Sequence, residues 1–184
     1  MVALVERVRG RVGGGGPAPR SGGRGGREVR WVRMDGLHLT LRFIGPTLDE
    51  RLPVLRTLLD DAAGATRPFG LSIGGVEILP GPAHPRILSL GLTEGTDELG
   101  TLAGMLDRGL VAAGWPGETR PFRGHLTLAR ADGVAAGAAT AAALASEVEG
   151  FSASWTADRL VLFESLTGGG PARYEPLAEA RFAR

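Results

Sequence analysis

The sequence predicts an α+β fold with antiparallel strand pairing, built as a single domain over residues 1–184. Segments in which every second residue is apolar, a pattern typical of half-buried strands, alternate along the chain with segments of helical apolar spacing. Two strand–helix sets of similar size follow one another, an order that favours α+β. A chain of 184 residues buries about 70% of its unfolded surface, so it needs no covalent cross-link to fold.

The first quarter of the chain predicts a helix, a loop and two strands. Apolar residues at positions 2, 4, 5 and 8 predict a short helix that ends at Gly10. Residues 13–27 include eight Gly and two Pro, a composition typical of a flexible loop. Residues 28–34 and 38–44 predict strands. The Asp35-Gly36 turn between them suits a hairpin or another connection.

The rest of the chain predicts three helices and five strands. Residues 48–63 have helical spacing, with Pro53 in the first turn, where proline is tolerated. Residues 97–113 and the Ala-rich residues 134–148 predict the other helices. Strands are predicted at residues 68–79, 85–92, 125–130, 151–165 and 173–182, with turns at 80–85, 114–124 and 167–170.

The composition excludes several kinds of chemistry. The chain has no cysteine, which excludes disulfides, Fe–S clusters, cysteine zinc sites and thiol catalysis. All 21 basic residues are arginine, so a Walker A lysine and a Schiff-base lysine are also excluded. Only three histidines, at positions 38, 84 and 125, remain for histidine chemistry.

The charge distribution leaves two interpretations open. Residues 1–43 carry nine Arg against three acids, a net charge of +6, whereas the remainder carries twelve Arg against seventeen acids, a net charge of −5. A basic part of a chain suits an anionic partner such as a nucleic acid or a phosphate ester. The alternative is that these arginines are simply solvated.

Nothing in the sequence predicts insertion into a membrane. There is no run of 18 apolar residues, and the opening MVALVERVRG is too short and too charged for a signal peptide. We therefore expect a cytoplasmic protein with no membrane partner, acting as a monomer.

One tetrapeptide occurs twice. His38-Leu39-Thr40-Leu41 recurs unchanged at positions 125–128, and both copies are predicted to be strands. Because residues i and i+2 share a face of a strand, each copy presents one imidazole and one hydroxyl, with two leucines behind them. The alternative is an ordinary half-exposed polar pair on each strand, repeated by coincidence.

Two such strands in lobes related by an approximate twofold axis could face each other across a cleft. Phosphodiester cleavage uses such a set, because a neutral imidazole takes a proton from the attacking hydroxyl while an imidazolium protonates the departing oxygen. Threonine hydroxyls can donate hydrogen bonds to the phosphate oxygens. We predict no metal, since two separated histidines without a carboxylate cluster do not form a metal site. His84, in a Pro/Gly turn, is predicted to lie on the surface.

The chain resembles the two-histidine phosphoesterase superfamily. The segments RWVRMDGLHLTLRFIG (30–45) and RPFRGHLTLAR (120–130) are similar to the bacterial and archaeal RNA 2′,3′-cyclic phosphodiesterases, also called the 2′-5′ RNA ligase family. PRILSLG (85–91) and RYEPLAEARF (173–182) resemble this family as well.

The resemblance implies a bilobal fold of two antiparallel sheets with outer helices and a central cleft. It implies hydrolysis, without cofactor or metal, of 2′,3′-cyclic phosphate ends of RNA or of small cyclic nucleotides to 2′-phosphates. His38 would protonate the departing 3′ oxygen, and His125 would activate water. Thr40 and Thr127 would hold the phosphate, with Phe43 and Arg130 around the base. These last two lie at an odd offset from their histidines, so they reach the cleft only if the strand ends or bulges.

The chain also departs from the family pattern. It begins inside the expected first helix, so either its start is truncated or one strand is missing. Ser89 stands where many relatives have an aromatic residue, and Gly124 stands where proline is common.

Two other functions stay open at this point. One is 2′-5′ ligation of RNA in the reverse direction, for which the sequence carries no nucleotide-activating motif. The other is a non-catalytic RNA-binding module that uses the basic N-terminal part.

Overall fold

The computed structural model describes residues 1–13, 29–166 and 172–184. The predicted turn at 167–170 and nearly all of the predicted loop at 13–27 lie outside these residues. The described helices are α1 (Val2–Gly13), α2 (Leu52–Gly64), α3 (Thr96–Ala112) and α4 (Val134–Val148). The strands are β1 (Val29–Trp31), β2 (Phe69–Leu79), β3 (Ile87–Glu94), β4 (His125–Ala131), β5 (Ser152–Ala157), β6 (Arg159–Leu166) and β7 (Arg173–Arg181). None of these helices is long and apolar enough to cross a membrane.

The strands form two antiparallel sheets, which confirms the α+β prediction. Sheet A has the order β1-β4-β3-β2-β5, and sheet B pairs β6 with β7. All pairings are antiparallel. Strand β4, which carries the second His-x-Thr motif, therefore lies inside sheet A with a neighbour on each side.

Helices α1 and α4 cover one face of sheet A. Alternate leucines of the inner strands point toward these helices and form the largest core cluster with them; they are Leu88, Leu90, Leu126 and Leu128. Ion pairs of Arg7 and Arg11 with Glu147, each at 2.6 Å, join α1 to α4. This face is buried, so the polar residues that alternate with the leucines point to the opposite face of the sheet.

Helices α2 and α3 and sheet B form the second part of the core. Leu59 of α2, Leu102 of α3, Leu160 of β6 and Phe182 are all buried together. Each such side chain contributes about 1.5–3 kcal/mol through burial. From sheet A, Phe69 of β2 and Ala157 of β5 pack against this cluster.

Several predicted boundaries need correction. Residues 38–44 do not form a ladder strand; only an isolated bridge at Leu39 remains of it. Residues 28–34 contribute the short strand β1, which pairs with β4 instead of forming the hairpin. The predicted strand 151–165 is two strands in two different sheets, separated at Asp158. Helix α1 continues past Gly10 to Gly13.

Candidate active site

An isolated β-bridge joins the two His-Leu-Thr-Leu segments. Strand β1 pairs with the end of β4, and the Val32 amide then donates to the Leu128 carbonyl at 2.9 Å. Residues 33–38 leave this edge through the 3-10 turn Met34–Gly36, and Leu39 returns to it, pairing antiparallel with Leu126. The excursion explains why residues 38–44 form no continuous ladder.

The register of this bridge makes the polar residues of the two motifs neighbours. His38 lies opposite Thr127, and Thr40 lies opposite His125. The histidines are thus diagonal neighbours, a relationship with a spacing of about 7–8 Å in an antiparallel pair. In β4 the burial alternates as expected, because Leu126 and Leu128 are buried while His125 and Thr127 are half-exposed. The structure therefore brings all four predicted motif residues together.

Both imidazoles are oriented by the same local hydrogen bond. His38 Nδ1 lies 2.8 Å from the Gly36 carbonyl oxygen, and His125 Nδ1 lies 2.8 Å from the Arg123 carbonyl oxygen. A carbonyl oxygen only accepts, so Nδ1 must carry the hydrogen in both rings. In each ring Nε2 is then the atom left for proton transfer. In both motifs the acceptor is the residue two positions before the histidine.

The two rings have different neighbours. His38 packs edge-on against Tyr174, with ring centroids 4.4 Å apart, and near Phe163 at 5.7 Å, so side chains of sheet B enclose it. His125 has Gly91 as its partner on β3. A side chain at Gly91 would contact the Gly74 carbonyl oxygen and the Glu77 Cβ, so Glu77 borders this position. The hydrogen bond of His125 to its backbone carbonyl is exposed, whereas that of His38 is partly buried.

A cavity of about 1330 Å³ contacts the first motif along its whole length and the second motif only at Leu126. His38, Thr40 and Phe43 line it together with many leucines of α2 and α3, whereas His125 and Thr127 do not. The bridge register defines the site better than this cavity, because hydrogen-bonded pairing fixes which residues are neighbours. Buried leucines and exposed side chains such as Phe43 and Trp155 both line the cavity.

A β-bulge brings Arg130 to the face of the second motif. Leu88 pairs with Ala129 and Ser89 pairs with Thr127, so Leu128 is an extra residue on β4. The bulge reverses the alternation, and Leu128 and Ala129 are both buried in succession while Arg130 is exposed. A bulge at this point of the strand is what the sequence analysis required for Arg130 to reach the cleft. Phe43 is 60% exposed and follows the bridge in a segment without regular structure.

Arg42 ties the first motif to the loop before the second. Its Nε donates to Asp107 Oδ1 of α3 at 2.8 Å, and its other nitrogens donate to the carbonyls of Phe43 and Pro116. The Glu118 amide donates to the same Asp107 oxygen at 3.0 Å. These two hydrogen bonds, the amide first, lower the pKa of Asp107. Hydrogen bonds from Arg120 lower the pKa of Glu118 to about 2.

Sequence reasoning missed the contact of Glu77 with Arg123 beside the second motif. Arg123 forms an ion pair with Glu77 of β2, and Ser89 of β3 is fully buried between Glu77 and Thr127 in the register. The one available signal was Glu77, the single charged residue in the strand FGLSIGGVEIL. His84 lies exposed in the 80–85 turn.

The described residues contain no cluster of three or more His, Asp or Glu side chains that could hold a metal ion.

An α+β fold with two His-x-Thr motifs side by side has the architecture of the two-histidine phosphoesterases. The model of one family, the 2′-5′ RNA ligase superfamily, matches residues 27–169. The chain belongs to this superfamily.

Curated relatives are similar over part or most of the chain. The RNA 2′,3′-cyclic phosphodiesterase of Escherichia coli strain K12 is 30% identical over 148 residues, covering 80% of this chain and 77% of its own length. The protein of the same name from Methanothermobacter thermautotrophicus is 31% identical over 106 residues, covering 58% of this chain. That match spans only 56% of the length of the Methanothermobacter protein.

Solved structures share the fold. A crystal structure described as a phosphoesterase is 29% identical with a TM-score of 0.63, covering 84% of this chain and 82% of its own. E. coli LigT complexed with 3′-AMP has a TM-score of 0.66 at 24% identity, covering all of this chain and 94% of its own. This second match supports the fold alone.

Proposed function

We propose that this protein hydrolyses 2′,3′-cyclic phosphates at RNA ends, or in small cyclic nucleotides, to 2′-phosphates. The observation that carries the proposal is the matched pair of imidazoles. Each has Nδ1 engaged by a backbone carbonyl and Nε2 left for proton transfer, on two segments joined at Leu39 and Leu126. Acid–base cleavage of a phosphodiester uses two such groups on either side of the phosphorus.

The proposed reaction moves two protons. His125 Nε2 takes a proton from water as the water oxygen bonds to phosphorus. The bond from phosphorus to the 3′ oxygen breaks, and His38 gives that oxygen its Nε2 proton. The products are a 2′-phosphate and a free 3′-hydroxyl, and exchange with solvent restores the two imidazoles. The scheme calls for no metal, since imidazoles carry both protons at neutral pH.

The threonines and the flanking residues have binding roles in this proposal. Thr40 and Thr127 donate hydrogen bonds to the non-bridging phosphate oxygens, where negative charge grows in the transition state. Phe43 stacks on the base, and Arg130 lies over its other side. The Leu128 bulge supports the assignment for Arg130, because it turns this side chain to the face of His125 and Thr127.

The names of the relatives support the same substrate class. Proteins called RNA 2′,3′-cyclic phosphodiesterase match from archaea and bacteria, including the E. coli protein over most of its length. The matched region covers little more than half of the length of several of these relatives. The phosphodiesterase activity of this chain is therefore part of the proposal. The cytoplasmic location and the monomeric state also stay predictions.

The test is hydrolysis of 2′,3′-cyclic AMP in the presence of EDTA, with the position of the product phosphate identified by NMR. The proposal expects 2′-AMP at an unchanged rate when EDTA is added. Loss of activity in EDTA would overturn the metal-free mechanism, and a 3′-phosphate product would overturn the assignment of the departing oxygen. Joining of a cyclic-phosphate end to a 5′-hydroxyl, assayed with RNA halves, would instead favour ligation.

A further inference from the structure

Glu77 forms an ion pair with Arg123, the residue whose backbone carbonyl accepts the hydrogen bond of His125. Arg123 supplies the carbonyl that accepts from His125 Nδ1 at 2.8 Å. It also lies at the end of the segment 113–124, which contains no regular element, one residue before Gly124 and the start of β4. Its guanidinium donates through Nη2 to Glu77 Oε1 of β2, two strands away from β4 in sheet A.

Glu77 belongs to the same face of the sheet as the second motif. Its register partner on β3 is Ser89, and the register partner of Ser89 on β4 is Thr127. Leu88 and Leu90 point to the helices α1 and α4, so Ser89 and its partners point the other way. Strands β2 and β4 are two strand spacings, or about 10 Å, apart. The long Arg123 side chain, which precedes β4, spans this distance to reach Glu77 on β2.

This ion pair is exposed on the Arg123 side and partly buried on the Glu77 side. The Glu77 side chain is only 26% exposed, whereas Arg123 is 57% exposed. Beside Glu77, the Ser89 hydroxyl is fully buried and has no hydrogen-bond partner among the described residues. Loss of the Arg123 cation should therefore cost the partly buried Glu77 carboxylate more free energy than it would cost a fully exposed carboxylate.

We infer that Glu77 is a positioning residue for His125, acting through Arg123. Glu77 holds the Arg123 guanidinium, which fixes the backbone of Arg123, and the Arg123 carbonyl then holds His125 in the tautomer with hydrogen on Nδ1. This inference rests on the proposed role of His125 as the proton acceptor. We call this link from Glu77 through Arg123 to His125 the tether. In the first motif the acceptor is Gly36, which lies in a 3-10 turn.

The experiment compares Glu77→Gln, Arg123→Ala and the double variant. Substituting Arg123 keeps its backbone carbonyl, so each single variant removes only the tether. We expect kcat on 2′,3′-cyclic AMP to fall about ten-fold in each, with KM within about two-fold of wild type. The double variant should lose no more than either single one, because both remove the same link. Glu179→Gln, which breaks an ion pair in sheet B at 3.7 Å, is the matched control and should leave kcat unchanged.

A spectroscopic readout separates positioning from general damage. The 15N chemical shifts of the His125 ring, measured at alkaline pH, should report hydrogen on Nδ1 in the wild type and a mixture of tautomers in Glu77→Gln and Arg123→Ala. The His38 shifts should not change. An unchanged His125 spectrum together with wild-type kcat in both single variants would overturn the inference, and so would additive losses in the double variant.

The two proposals fail in different ways. The ring measurement needs no substrate, so it tests the tether even if the wild type hydrolyses no cyclic phosphate. Failure of the proposed function would appear as an inactive wild-type protein, whereas failure of the tether would appear as an active enzyme whose variants behave as wild type.

Discussion

Leu39 and Leu126 form an antiparallel β-bridge that joins the two copies of the His-Leu-Thr-Leu segment. Both leucines pack in the core cluster under sheet A, Leu126 as a buried member and Leu39 as a partly buried one. Their shared register sets each histidine opposite the threonine of the other copy. The candidate site is thus built around a hydrophobic contact on the reverse side of the polar residues, where water does not compete with it.

The threonines are expected to bind phosphate through their hydroxyl groups. Thr40→Val and Thr127→Val keep the shape of the side chain and remove the donor. Each should lower kcat on 2′,3′-cyclic AMP by about 10²-fold, the usual effect of removing one such donor. Thr127→Ser, which retains a hydroxyl, is the control and should keep most of the activity. Wild-type rates in both valine variants would rule out these roles.

Phe43 and Arg130 are expected to hold the base rather than to act in the chemistry. Since base stacking contributes about 1–3 kcal/mol, Phe43→Ala and Arg130→Ala should raise KM by roughly ten-fold with little change in kcat. Leu48→Ala, another exposed apolar side chain at 71% exposure, serves as the control for surface truncation. Steady-state kinetics in which neither KM moves would argue for purely structural positions.

The network around Asp107 predicts sensitivity to acid. The pKa values of Asp107 and Glu118 are lowered in the folded protein by hydrogen bonds from the Glu118 amide and Arg42, and from Arg120. Because the pKa of each carboxyl is lower in the folded than in the unfolded protein, the charged carboxylates stabilise the fold at pH values above the unfolded pKa. That stability is lost as the pH falls toward the folded value, about 2 for Glu118.

Urea unfolding between pH 5 and pH 2 measures this effect. Asp107→Asn and Glu118→Gln should flatten the dependence of the free energy of unfolding on pH compared with the wild type, because each removes one titrating group. An identical slope in wild type and both variants would show that the network does not contribute.

Ser89 predicts a stabilising substitution. Its hydroxyl is buried and has no hydrogen-bond partner within the described part of the chain, so Ser89→Ala should raise the free energy of unfolding by about 1–2 kcal/mol. Ser72 is the matched control, since its buried hydroxyl lies 2.5 Å from Glu94 Oε2 and 2.8 Å from Ser154 Oγ. Ser72→Ala should therefore be destabilising by a similar amount. Chemical denaturation in which Ser89→Ala is the less stable of the two would contradict this interpretation.

Local sequence patterns predicted most helices and strands because those elements depend on local spacing. Helix α4 begins and ends at the predicted residues, and Pro53 lies in the first turn of α2. The pairing of β1 with β4 joins residues about a hundred positions apart, which no local pattern can indicate. The break at Asp158, where the chain changes sheets, was missed for the same reason.

The candidate site was predicted in its residues but not in its geometry. The repeated tetrapeptide identified both histidines and both threonines, yet the excursion through Met34–Gly36 interrupts the first strand and leaves a single bridge. The bulge on β4 had a visible signal, because Leu128-Ala129 places two apolar residues in succession in an alternating strand. The role of Arg123 depends on its backbone carbonyl, which residue identity does not reveal.

The most direct test of the two-histidine account is a comparison of His38→Ala and His125→Ala with the wild type on 2′,3′-cyclic AMP in EDTA, with circular dichroism to verify folding. The account predicts that the wild type produces 2′-AMP and that each folded variant loses activity by at least about 10²-fold. A folded His125→Ala protein that hydrolyses the substrate at the wild-type rate would contradict it.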